Sequence, residues 1–202
     1  HVGLVLMGET VSGRILRGES AVGHAPDPLR RVWIEPQGAV ANGAALEAIR
    51  QADLIVIGPG SLYTSIIPNF LVPGIKEAIA TSQAPKVFVC NVATQPHETD
   101  GYGVAEHLKV FQTHSGVSVT HMLVNSKVWD LPEEWNQVSV PSVSRIDGFD
   151  GVVVLADVVN EEFPTRHDPD KLATALTAIE RSSHNGKWMP IDSKEAQGAI
   201  KA

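Results

Sequence analysis

Two polar loops in the sequence carry the residue types of a ligand site. The first reads Ile57-Gly58-Pro59-Gly60-Ser61-Leu62-Tyr63-Thr64-Ser65-Ile66-Ile67-Pro68-Asn69 and leaves the apolar run Asp53–Ile57. Two glycines and the hydroxyls of Ser61, Thr64 and Ser65 let backbone N–H groups come close to an oxyanion, and a helix starting just after them favours negative charge. The same residues also make an ordinary tight strand-to-helix turn with hydroxyl caps, and spacing alone does not choose between the two. The second loop is Asn91-Val92-Ala93-Thr94-Gln95-Pro96-His97-Glu98-Thr99-Asp100-Gly101-Tyr102, which follows another apolar run. It offers amides, hydroxyls and carboxylates where base, ribose or metal contacts are made in α/β proteins, although Thr99 and Asp100 also suit helix caps. Arg166-His167, ahead of the last helical segment, brings a planar cation that suits a phosphate or a base; the plainer reading is a solvated pair flanking the helix.

Several chemistries find no support. The dinucleotide pattern G-x-G-x-x-G is met at Gly58 and Gly60 but has Tyr63 at the third position, and the next strand ends in Asn91 rather than an acid, which disfavours NAD. Gly186-Lys187 is followed by Trp188 and lacks the upstream glycine of a phosphate-binding P-loop. His107, His114 and His121 show no metal-ligand spacing and suit helix-surface or core roles. No Gly-x-Ser-x-Gly elbow is present, and Cys90 falls inside an apolar run where a nucleophile is inaccessible.

The elements that must position these loops follow from hydrophobic period. Residues 2–7 and 11–17 form two extended runs with a turn expected around Gly8-Glu9, and Arg31–Ile34 is a further short strand. Asn42 caps a helix over Ala44–Arg50, and Asp53–Ile57 then reads as a strand buried on both faces. Pro73 suits the first turn of a helix carrying Ile75, Ala78 and Ile79, followed by a buried strand over Lys86–Val92. Thr99 or Asp100 opens a helix with Val104, Leu108 and Phe111 on one face. Strands over Met122–Val124 and Gly151–Asp157 follow, and Asp168-Pro169 starts a helix with Leu172, Ala175, Leu176 and Ile179. Residues 126–147 break the rhythm and read as a loop with at most one helical turn. Alternation of this kind predicts an α/β fold: a Rossmann-like, three-layer parallel sheet with helices on both faces, plus an N-terminal β-hairpin.

Composition narrows the class. The 202 residues are 43% hydrophobic and 19% charged, enough for one substantial core, so a single α/β domain over 1–202 is expected. A formal net charge of -7 leaves no basic stripe for a nucleic acid. No apolar run approaches the roughly 20 residues of a membrane span. A lone cysteine fits the reducing cytoplasm. The first residues, His1-Val2-Gly3-Leu4-Val5-Leu6, already read as a strand and do not begin with Met, as in a chain cut from something longer.

Asp53–Ser65 followed by Pro68-Asn69 and Leu71-Val72-Pro73-Gly74-Ile75 resembles the signature stretch of the gluconeogenesis-factor proteins, CofD-like relatives of 2-phospho-L-lactate transferase. Arg17-Gly18-Glu19-Ser20, the Asn91–Tyr102 loop and Arg166-His167-Asp168 match that family in order and approximate distance. The resemblance implies a Rossmann-like core binding a nucleotide or nucleotide sugar, of the UDP-sugar class, in a regulatory protein tied to carbon metabolism and cell-wall morphogenesis. It implies ligand contacts at Gly58, Pro59, Gly60, Ser61, Tyr63, Thr64, Ser65, Asn69, Asn91, Thr94, Gln95, Glu98, Thr99, Asp100 and Arg166. The alternative it allows is a transferase moving a phosphate-containing group from a nucleotide diphosphate to a small acceptor, with a divalent metal as a candidate cofactor. A further reading is a homodimeric scaffold acting through its surface. Family members carry a glycine-rich βα unit upstream of the opening hairpin, which this chain is expected to lack. The transferase branch has a Gly-Pro-Ser-Asn-Pro type loop where this chain reads Gly-Pro-Gly-Ser-Leu, so phospholactate chemistry is not carried over.

Overall fold

The computed structural model of the chain describes residues 3–184. Gly186-Lys187-Trp188 and Val2, the first residue of the expected opening strand, lie outside that range. Strands β1 (Val5–Thr10), β2 (Ile15–Arg17) and β3 (Leu29–Glu35) form an antiparallel sheet in the order β2-β1-β3, with the short helix α1 (Glu19–Gly23) between β2 and β3. The hairpin is present, but its turn is not at Gly8-Glu9. Gly8 lies mid-strand, opposite both Leu16 and Val32, and the chain reverses over residues 11–14, where Gly13 takes φ +85°. The surroundings of both residues are those of a paired strand. The carboxylate of Glu9 is held by Arg30 at 3.3 Å and Arg31 at 2.6 Å, and a side chain at Gly8 would press on Val22 of α1, 3.1 Å away.

Helix α2 (Gly43–Gln51) starts as expected, with Asn42 Oδ1 accepting from the Ala44 amide at 2.9 Å. Strands β4 (Ile55–Ile57), β5 (Lys86–Val89), β6 (His121–Asn125) and β7 (Val152–Ala156) then pair in parallel, in chain order. A π-helical turn, Leu62–Ile66, runs into α3 (Ile67–Phe70), and α4 (Ile75–Thr81) precedes β5. Helix α5 (Val104–Ser115) links β5 to β6, and α6 (Pro169–His184) follows β7. The expected loop 126–147 holds one 3-10 turn, Glu133–Trp135, within the single helical turn expected there, and an isolated bridge at Ser139.

Because side chains alternate along a strand, the parallel sheet presents two apolar faces. Phe88, Met122 and Val124 pack with Phe70 of α3 and Leu108 and Phe111 of α5, in a core that extends to Leu6, Leu16 and Val32 of the antiparallel sheet. Val87, Val89, Leu123 and Val154 face the other way, against Ala175 and Ile179 of α6. Helices therefore cover both faces, as the period predicted. Two helix starts differ from the sequence reading. The carboxylate of Glu106 reaches back to the Gly103 amide at 2.9 Å and opens α5, so neither Thr99 nor Asp100 caps it. Glu77 does the same for Gly74 at 2.8 Å, so α4 begins beyond Pro73. Among the described residues, no helix is long and apolar enough to cross a membrane.

Candidate functional site

The loops leaving β4 and β5 meet on one rim of the parallel sheet, at its carboxyl edge. Asn91 Nδ2 donates to the Gly60 carbonyl at 3.1 Å. Glu98 reaches across from the second loop: its Oε1 accepts from Ser61 Oγ at 2.6 Å and from the Tyr63 amide at 2.8 Å. Ser61 Oγ in turn accepts from the Thr64 amide at 3.2 Å and is hydrogen-bonded to the Thr64 hydroxyl. Gly58 allows the first loop to turn there. It sits at φ +85°, and a Cβ would lie 3.1 Å from Ile66 Cδ1 and 3.2 Å from the Val89 carbonyl oxygen. The π-helical turn is of the kind often found at functional sites.

The second loop is a closed turn. Thr99, fully buried, accepts from the Gln95 amide through Oγ1 at 2.8 Å, while its own amide donates to the Gln95 carbonyl at 2.9 Å. Asp100 accepts from the amide of His97, which takes φ +68°, and this fixes the turn that presents Glu98. Thr94 is also buried; its hydroxyl accepts from the Val138 amide at 2.9 Å, and its carbonyl accepts from Gln137 Nε2 at 2.9 Å. Residues 138–140 thus lie antiparallel to 92–94, with a bridge between Ala93 and Ser139. The sequence of 126–147 reads as a loop with at most one helical turn, and the Val138-Ser139-Val140 alternation is the one local sign of this pairing.

The expected site residues therefore divide. Pro59, Ser65, Asp100 and Arg166 are exposed, and Gly58, Gly60, Ser61, Thr64, Asn91 and Gln95 are half-buried along the rim. Tyr63, Thr94, Glu98 and Thr99 are buried and bonded within the protein. Asn69 is exposed and turns its amide to the Ser65 carbonyl at 2.6 Å, one turn down the helix. His167, the neighbour of Arg166, donates from Nε2 to the Cys90 carbonyl at 3.1 Å, one residue before Asn91, which ties that segment to the start of the second loop. Cys90 itself is 1% exposed, and burial pushes its thiol up to about 12, which suits an inert core residue. Among the described residues, no group of three His, Cys, Asp or Glu stands close enough to hold a metal ion.

Beneath the first loop lies an aromatic layer built on Tyr63, expected as a ligand contact, and on His107 and His114, expected in helix-surface or core roles. The Tyr63 hydroxyl pairs with that of Tyr102 at 3.2 Å, and the two rings meet His114 and His107 edge-on, with centroids 5.4 and 5.6 Å apart. His107 Nδ1 donates to the Gly103 carbonyl at 2.8 Å, leaving Nε2 buried without a partner. Burial lowers the affinity of His107, His121 and His167 for a proton. Burial also raises the Glu98 carboxyl, against the bonds from Ser61 and Tyr63. Each histidine has a folded value below its unfolded 6.5, so the stability it contributes is complete above that value and is lost as pH falls through it. Glu98 acts in the opposite sense, gaining stability as pH falls toward its unfolded 4.5, but it is one group against three. The melting temperature is expected to drop between pH 7.5 and 5.5, with a limit of about 1.4 kcal/mol per pH unit for each proton taken up on unfolding. A profile that is flat or rises toward pH 5.5 contradicts this.

A depression of about 480 Å³ lies elsewhere, at the end of the antiparallel sheet, where Arg17 and Glu35 pair at 3.3 Å. The crest carries the convergent donors, and chemistry rather than size marks it as the candidate site.

Comparison with known proteins agrees with the resemblance read from the sequence. The family model described as 2-phospho-L-lactate transferase CofD matches residues 3–180. The gluconeogenesis factor of Bacillus subtilis (strain 168) is 38% identical over 189 residues, covering 89% of this chain and 59% of that protein. The gluconeogenesis factor of Halalkalibacterium halodurans is 51% identical over 116 residues, 57% of this chain and 36% of the relative. A crystal structure of a UPF0052 family member from Bacillus halodurans superposes with a TM-score of 0.77 at 37% identity, over 86% of this chain and 59% of that one. The chain spans about half the length of the curated relatives it matches.

Proposed function

Since the chain belongs to the family described as 2-phospho-L-lactate transferase CofD, we propose that it binds the diphosphate of a nucleotide sugar, of the UDP-sugar class, at the rim formed by Gly58–Ser65 and Asn91–Gln95. In this reading it is a regulatory binding protein of the gluconeogenesis-factor type, acting in the cytoplasm on carbon metabolism and cell-wall morphogenesis. The observation that carries it is the set of three cross-loop bonds, Asn91 to Gly60 and Glu98 to Ser61 and Tyr63, which bring two donor-rich loops together at the carboxyl edge of a parallel sheet. Gly60 and the half-buried Ser61 meet the phosphates, and the exposed Arg166 supplies a cation that can fork onto one of them.

Thermal denaturation with UDP-N-acetylglucosamine, GDP, NAD and inorganic phosphate tests this reading. A UDP-sugar at 100 times its Kd is expected to stabilise the fold by about 2.7 kcal/mol, and NAD to leave it unchanged. In Gly60→Trp the bulk of the ring covers the rim, and the shift should vanish. No shift with any nucleotide removes the proposal. Turnover of a nucleotide diphosphate donor with a small acceptor moves it to the transferase alternative.

A further inference from the structure

Glu98 is 6% exposed, and its two oxygens are treated unequally. Oε1 holds two donors at the start of the helix that follows Gly60-Ser61, at 2.6 and 2.8 Å. Oε2 is buried and has no partner. A buried carboxylate with one satisfied oxygen and one bare one is an expensive arrangement, of the kind that marks a functional compromise rather than a structural optimum. The donors it occupies are those that an oxyanion arriving at Gly58–Ser65 would use.

We propose that Glu98 is an internal counter-ligand: its carboxylate fills the anion seat of the loop through Ser61 and Tyr63, and an incoming phosphate group gains those donors as the carboxylate gives them up. The proposal rests on the nucleotide-binding reading of this rim and adds what decides its selectivity. A simple phosphate or pyrophosphate must displace a tethered carboxylate and tolerate its charge nearby, so it binds weakly. A ligand with further contacts along Asn91–Gln95 or at Arg166 supplies the difference. Charge separates a counter-ligand from a plain loop tie. A tie is indifferent to the charge of the tying group, provided its acceptor remains; a counter-ligand is not.

The test is titration of inorganic pyrophosphate into the wild-type protein and into Glu98→Gln, which keeps an acceptor oxygen for Ser61 and Tyr63 but removes the charge. Glu98→Gln is expected to bind pyrophosphate at least about tenfold more tightly, since like charges a few ångströms apart repel strongly in a half-buried site. Glu98→Ala, which vacates the seat, should follow the same direction. If pyrophosphate binds the wild type and Glu98→Gln binds it equally or less tightly, the counter-ligand is overturned and the binding site stands. If neither protein binds pyrophosphate and the wild type takes no UDP-sugar, the site itself is wrong. If both variants fail to fold, as judged by circular dichroism and melting, the carboxylate is a structural strut and the proposal falls.

Discussion

Phe111→Ala is expected to lose about 3–5 kcal/mol of stability and to loosen the candidate site although it lies beneath it. Phe111 is fully buried at the centre of three rings. Its centroid is 5.0 Å from that of Phe70 at the end of α3, with the planes 83° apart, and 5.0 Å from that of Phe88 in β5, at 44°. The column joins the helix leaving the first loop, the strand feeding the second loop and the helix that closes the crossover. Truncation leaves a cavity that these packed elements cannot collapse around, so transfer and cavity terms add. Chemical denaturation measures the loss, and Phe111→Leu should lose markedly less. A loss below about 1 kcal/mol for the alanine variant means that the core is not organised around this ring.

Gly58→Val is expected to abolish nucleotide binding and destabilise the fold by about 2–5 kcal/mol, from a left-handed backbone forced on a β-branched residue together with overpacking. The two contributions separate by comparison with Gly13→Ala. Both glycines have φ +85°, but a Cβ at Gly13 meets nothing within 4 Å, whereas one at Gly58 presses on Ile66 and on the Val89 carbonyl. Gly13→Ala therefore reports backbone strain alone, about 1 kcal/mol, and should leave binding intact. Equal effects at the two positions would mean that the close approach at Gly58 is unimportant. The comparison reads out as melting temperature for stability and titration for ligand.

What could be read from the sequence was local. The apolar runs around Phe88 and Leu123 announce buried parallel strands because both faces of each are covered, and the cap at Asn42 needs only the amide two residues on. The run around Val56 reads the same way in sequence, but β4 is the edge strand of the sheet and Val56 is 41% exposed, so only its Ile55 and Ile57 face is buried. The last helix is equally legible: Asp168 Oδ1 accepts from the amides of Asp170 and Lys171, both at 3.0 Å. The turn of the opening hairpin was not, since Gly8-Glu9 has turn chemistry in isolation. The true turn is held by Thr10, Ser12 and the distant Asp27, with Ser12 donating to Asp27 at 2.6 Å. In the site, glycine and hydroxyl content pointed to the right loops, but side-chain roles depended on contacts across the chain. Glu98 lies 37 residues from Ser61, and Thr94 lies 44 from Val138. No window of sequence shows that Thr94 is sealed under a strand-like segment or that Glu98 turns inward. Loop composition locates a crest; only packing tells which of its polar groups are left to meet a ligand.

The decisive measurement is a crystal structure of the protein with UDP-N-acetylglucosamine bound. The diphosphate is expected at the rim between Gly58–Ser65 and Asn91–Gln95, within hydrogen-bond reach of Gly60 or Ser61, with the Arg166 guanidinium on one phosphate. A diphosphate bound instead in the depression beside Arg17 and Glu35, or on the α6 face of the sheet, contradicts the account.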